Sequence, residues 1–245
     1  MATITKHPAP VPAPSPGRSS PEVPPLENGD RLTRPEFERR YSAMPNVKKA
    51  ELIEGVVYMP SPLSEMHAAP HSDLMFWLGF YRMATPGVVA GDNGTLRLDL
   101  DTEPQPDAYV RILTEFGGQA RLSPDKYVEG APELVAEVAA TSASYDLHDK
   151  FRAYRRNGVR EYIVWRVRDQ AIDWFILREG QYENLSLSPE GHYRSEVFPG
   201  LWLDAAALIR GDLVTVSQVA QSGTASPEHA AFVAKLQQAA ASKGS

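Results

Sequence analysis

Glu133-Leu134-Val135-Ala136-Glu137-Val138-Ala139-Ala140 is the stretch on which the fold turns. A strand sends alternate side chains to opposite faces, so a run apolar on both faces needs cover on both, as in a sheet flanked by helices. Between Leu134 and Ala140 the exception is Glu137. A carboxylate there must offset its desolvation with a cation, a metal or a proton. Two readings meet that need: a working ligand, or half of a structural ion pair.

Upstream, Pro106-Asp107-Ala108-Tyr109-Val110 sets an aspartate just inside a strand whose first residue is proline, the place where a sheet tolerates one. Asp107 is either a site group or part of a Pro-Asp turn. Downstream, a helix is predicted from Tyr145 to Asn157, stopped by Gly158. Counting about 100° per residue from Leu147, Phe151 and Tyr154 fall on the buried stripe and Lys150 borders it, while Arg152 and Arg156 face solvent and Arg155 lies at the opposite border.

Further out, Arg34 to Met44 reads as a helix with Thr33 as a cap, followed by a strand from Leu52 to Tyr58 that ends at Pro60. From Pro70 to Met83, Leu74, Trp77, Leu78 and Tyr81 recur at helical spacing. Extended runs are expected at 88–90, 95–100, 107–112, 134–139, 161–167, 171–177 and 193–198, so helices and strands mix without strict βαβ alternation. Ser226, Pro227, Phe232 and Leu236 mark a C-terminal alanine-rich helix that either docks weakly or floats. The prolines from Pro8 to Pro25 make residues 1–30 a disordered tail; 31–210 is one α/β domain and 211–245 a C-terminal helical extension.

Cysteine is absent, which excludes disulfides, thiolate nucleophiles and cysteine-held metals, so any metal must take oxygen or imidazole ligands. A net charge of −6 gives no overall attraction to phosphate backbones, and a nucleic-acid partner would need a locally basic face. No run approaches the roughly 18 apolar residues of a membrane span and no secretion pattern opens the chain, so a cytoplasmic protein without a membrane partner is expected. His67 and His71 are four apart but lack the glutamate of the zinc-protease motif, and Glu115-Phe116-Gly117-Gly118 lacks the lysine of a P-loop.

Two acids followed by a lysine beside the core is an inventory suited to phosphodiester hydrolysis. Hard divalent ions prefer carboxylate oxygen and keep water and substrate phosphate as further ligands. An ammonium nearby would orient water or stabilise charge developing in the transition state.

Asp107, Glu137 and Lys150, with Asp146-Leu147-His148-Asp149-Lys150-Phe151-Arg152-Ala153-Tyr154-Arg155-Arg156-Asn157-Gly158-Val159-Arg160-Glu161-Tyr162, resemble the Uma family of restriction endonucleases, within the PD-(D/E)XK nuclease superfamily. The resemblance extends from Glu51-Leu52-Ile53-Glu54-Gly55 through Pro60-Ser61-Pro62 and His67 to Pro199-Gly200-Leu201. It implies a restriction-endonuclease-like mixed β-sheet flanked by helices, with Asp107 and Glu137 as ligands of Mg2+ or Mn2+ and Lys150 as the catalytic lysine. In the superfamily that lysine usually stands two residues after the strand acid, where this chain has Ala139; Lys150 implies a migration to the following helix. The family's Ser-Pro-Ser turn is replaced by Ala139-Ala140-Thr141-Ser142, and its Val-Asp by Trp165-Arg166. The resemblance also offers Glu54 as a further carboxylate and His67 as a cleft residue, beside plainer readings of each as a surface or packing group.

The expected activity is metal-dependent DNA endonuclease, hydrolysing phosphodiester bonds with metal-activated water. Cleavage of both strands would suit a homodimer. The alternative is a catalytically inactive nuclease fold serving nucleic-acid binding or acting as an interaction scaffold.

Overall fold

The computed structural model describes residues 23–60, 64–140 and 145–243. The proline-rich stretch 1–22, and the expectations placed on Ser61-Pro62 and Thr141-Ser142, lie outside them.

The N-terminal lobe pairs helix α1 (Arg34–Ser42) with a hairpin of β1 (Glu51–Ile53) and β2 (Val56–Tyr58). The single strand expected from Leu52 to Tyr58 is thus two strands. Glu54 and Gly55 form the turn with φ of 50° and 78°, the doubly positive geometry of a tight two-residue hairpin, for which the second residue is glycine. The ordered chain also begins before residue 31. Leu26, within the expected tail, is buried with Phe37, Leu52 and Val57, and Gly29 N–H donates to Val57 O at 2.8 Å. Thr33 occupies the cap position of α1 without donating or accepting a side-chain cap bond.

Helix α2 (Glu65–Ala84) begins five residues before the expected Pro70, which it carries inside. Proline removes one internal hydrogen bond there, and the stripe that α2 buries, His67, Leu74, Trp77, Leu78 and Tyr81, holds the helix against the sheet. Then follow β3 (Val88–Asp92), β4 (Leu96–Arg97), β5 (Ala108–Ile112), β6 (Arg121–Leu122), β7 (Val128–Glu129) and β8 (Leu134–Ala139). A π-helical turn (Asp146–Lys150) runs into α3 (Phe151–Asn157), which Gly158 ends at φ 81°. The chain continues through β9 (Glu161–Arg166), β10 (Ala171–Arg178), β11 (Gln181–Asn184), β12 (Tyr193–Arg194) and β13 (Trp202–Leu203) to α4 (Ala205–Ile209), α5 (Leu213–Thr224) and α6 (Pro227–Lys243). The runs expected at 95–100 and 193–198 contract to the two-residue strands β4 and β12.

The central sheet has the order β11-β10-β9-β8-β5-β3, parallel only between β8 and β9, where the helical crossover of α3 permits it. β8 is covered on both faces. Leu134, Ala136 and Val138 lie in the core that α2 covers and to which α4, α5 and α6 contribute, while Val135 and Ala139 share a second core with Tyr154 of α3 and with Leu96 and Val128 of the small sheet β4-β7-β6. The C-terminal helices belong to this core: Val216, Ala220 and Leu236 are buried in it, and Ser226 Oγ caps α6 by accepting His229 N–H at 3.2 Å. The architecture is a mixed α/β sheet flanked by helices, and Glu137 shares the α3-side face with Val135 and Ala139.

Candidate active site

Two strands set the site. β5 and β8 are antiparallel with Ala108 opposite Ala136, and one step further the same register brings Asp107 opposite Glu137. Directly opposed residues project to one face, so both carboxylates enter one buried space on the α3 side. Asp107 is 4% exposed and Glu137 2%. Pro106 and Asp107 do not form a self-contained turn: Asp107 Oδ2 accepts Val138 N–H across the sheet at 2.8 Å, and Asp107 N–H donates to Glu137 Oε2 at 3.3 Å.

The third group comes from the crossover. α-Helical spacing from Leu147 sets Lys150 at the border of the helix stripe, but the side chain is buried at 3% exposure. The turn through Lys150 is the wider π form, a variant often found at functional sites. Lys150 Nζ donates to Glu137 Oε1 at 2.8 Å and lies 3.0 Å from Glu51 Oε1. One α-turn on, Tyr154 O–H donates to the same Glu137 Oε1 at 2.8 Å. Lys150 and Tyr154 are four apart and so fall on one helix face.

Helix α2 closes the Asp107 side. His67 Nε2 is 3.0 Å from Asp107 Oδ2, and His71 Nε2 is 2.9 Å from the Asp107 carbonyl oxygen and 3.2 Å from Asp92 Oδ1. Lys49 Nζ, the more exposed of the two lysines, stands 3.5 Å from Asp107 Oδ1. Burial pushes the Asp107 carboxyl up, but the His67 bond and the charges of Lys49, His67 and Lys150 outweigh it and leave the group well below the usual carboxylate range. A depressed folded pKa contributes stability that is full above the ordinary aspartate value and is lost as pH falls toward the folded one. Asp107→Asn is therefore expected to flatten the acid limb of the stability profile below about pH 4. Urea midpoints measured down that limb check it; parallel profiles for the two proteins would contradict it.

Asp107, Glu137, Lys150 and His67 thus meet in one cluster. Glu54 does not join them: at the hairpin tip it pairs with Arg152 at 3.4 Å and Arg156 at 3.2 Å. Three further residues complete the inner layer without a functional signal of their own in the sequence motifs: Glu51, Lys49 and Tyr154. Glu51 is 3% exposed and its Oε1 also accepts Gln105 N–H at 2.7 Å. The signal for Glu51 was the Glu54-Gly55 turn, because placing a turn there makes Glu51, and not Glu54, the acid that lies within the strand.

Buried carboxylates with lysines beside them make an oxygen donor set for a hard cation. Among the described residues no three His, Asp or Glu side chains form a group able to cage a metal. Two carboxylates are nevertheless the number on which magnesium usually relies when phosphate and water complete its octahedron. The residues fit an ion shared with substrate.

A family model described as "Uma2: Putative restriction endonuclease" matches residues 34–206. Among solved structures, the chain is similar to one described as "a putative nuclease belonging to DUF820 from Anabaena variabilis ATCC 29413", with a TM-score of 0.51 at 13% identity, covering 70% of this chain and 97% of the other. That likeness is one of fold. No curated protein matches the chain. Among the described residues no helix is long and apolar enough to cross a membrane.

Proposed function

Because the chain belongs to the Uma2 family, we propose that it is a metal-dependent DNA endonuclease of the PD-(D/E)XK type, in which Asp107 and Glu137 hold Mg2+ or Mn2+. The observation that carries this reading is the cross-strand pair of buried carboxylates with Lys150 on one of them at 2.8 Å. A structural ion pair would need one acid for one lysine. Here Glu51, Asp107 and Glu137 converge on the buried side of the chain where Lys150 and Lys49 are their cations.

A divalent ion bound by Asp107 and Glu137 supplies Lewis acidity toward a phosphate oxygen and lowers the pKa of water. The chain's own groups do the rest. Lys150 and Tyr154 fix the Glu137 carboxylate, and His67 and the Val138 N–H fix Asp107, so neither has to reorganise when substrate arrives. Lys150 orients the attacking water or stabilises charge developing on the phosphate. With a net charge of −6, contact with duplex must be local, and Lys49, half-buried beside Asp107, is a cation within reach of it. Cutting both strands calls for two such centres, and hence a two-fold dimer, which sedimentation on DNA would reveal.

The test is supercoiled plasmid incubated with the full chain in Mg2+ or Mn2+. Nicked and linear products that disappear with EDTA are expected; intact supercoiled plasmid in the presence of folded protein and either metal would contradict the proposal.

A further inference from the structure

Tyr145 immediately precedes the π-helical turn that carries Lys150. Its ring centroid is 5.3 Å from Lys150 Nζ and 4.3 Å from the ring of Tyr58, whose hydroxyl donates to Asp149 Oδ2 at 3.1 Å. The ring therefore packs against both a buried ammonium and a tethered aromatic. Its hydroxyl is buried and has no hydrogen-bond partner among the described residues.

Tyr154 supplies the contrast. It packs against the same ionic cluster, and its hydroxyl is satisfied by Glu137. A buried hydroxyl with no partner is costly and uncommon, and phenylalanine would fill the Tyr145 space without that cost. Burial, and then the Glu51 and Glu137 carboxylates, hold the Tyr145 phenol above its usual range against the opposing charge of Lys150. The hydroxyl keeps its proton and is available as a donor, not as a base.

A hydroxyl donor on a ring that packs against a buried ammonium suits an oxyanion. Resting on the nuclease reading, we propose that Tyr145 contacts substrate, its hydroxyl donating a hydrogen bond to a non-bridging oxygen of the scissile phosphate.

Tyr145→Phe in the full chain tests this against Tyr154→Phe. The urea midpoint of Tyr145→Phe should equal or exceed that of the wild type, while its single-turnover plasmid cleavage in Mn2+ falls on the order of 10²-fold. Tyr154→Phe, which strips a bond from Glu137, should lower the midpoint. Wild-type cleavage by Tyr145→Phe, or a rate loss matched by a lower midpoint, would overturn the assignment and leave the nuclease reading standing. If the wild type does not cleave, the nuclease reading fails, and inorganic phosphate decides the contact. Phosphate should then raise the midpoint of the wild type more than that of Tyr145→Phe, and an equal or absent rise in the two would overturn it.

Discussion

Asp107→Ala and Glu137→Ala are each expected to remove metal-dependent plasmid cleavage, with a fall of at least about 10³-fold in rate. The two acids come from adjacent strands, and the antiparallel register that sets Ala108 opposite Ala136 is also what sets them face to face. Neither can replace the other, because each is held by its own partners: Asp107 by His67 and the Val138 N–H, Glu137 by Lys150 and Tyr154. The fold should survive both changes. Removing Glu137 leaves Lys150 paired with Glu51 at 3.0 Å, so no buried cation is stranded. Circular dichroism with urea midpoints establishes matched folding before rates are compared. Cleavage retained by either variant would sink its assignment as a ligand.

Lys150→Met carries the largest expected effect on stability. Lys150 is the cation shared by Glu51 and Glu137, all three nearly inaccessible to water. Its loss leaves buried carboxylates without their ammonium, which costs about 3–5 kcal/mol. Urea midpoints of the two proteins at neutral pH provide the check, and equal midpoints would contradict it. The variant should also lose cleavage at pH values where it remains folded.

Much of this could be read before any coordinates. The apolar run around Glu137 marks a strand covered on both faces, and Gly158 marks the end of the helix before β9; that this helix is the crossover between parallel β8 and β9 is seen only in the fold. Where the reading slipped, local geometry overrode pattern. The Leu52–Tyr58 run has the composition of one strand, yet two positive φ values at Glu54 and Gly55 fold it back, sending Glu54 out to Arg152 and Arg156 and leaving Glu51 inside. Lys150 was counted at 100° per residue, and one π turn carried it from the border into the core. Lys49 and Tyr154 could not be assembled from sequence, because they reach Asp107 and Glu137 from a loop and a helix that only tertiary packing brings to β5 and β8. C-terminal alanine-rich helices offer weak periodicity, and their docking rests on a few side chains such as Leu236 and Phe232.

Manganese titration of the folded chain by calorimetry, in the absence of DNA, tests the central claim most directly. Saturable binding by the wild type, lost in an Asp107→Asn, Glu137→Gln double variant with an unchanged fold, is the predicted result. Equal binding by the two proteins would contradict the claim that this carboxylate pair is the metal site.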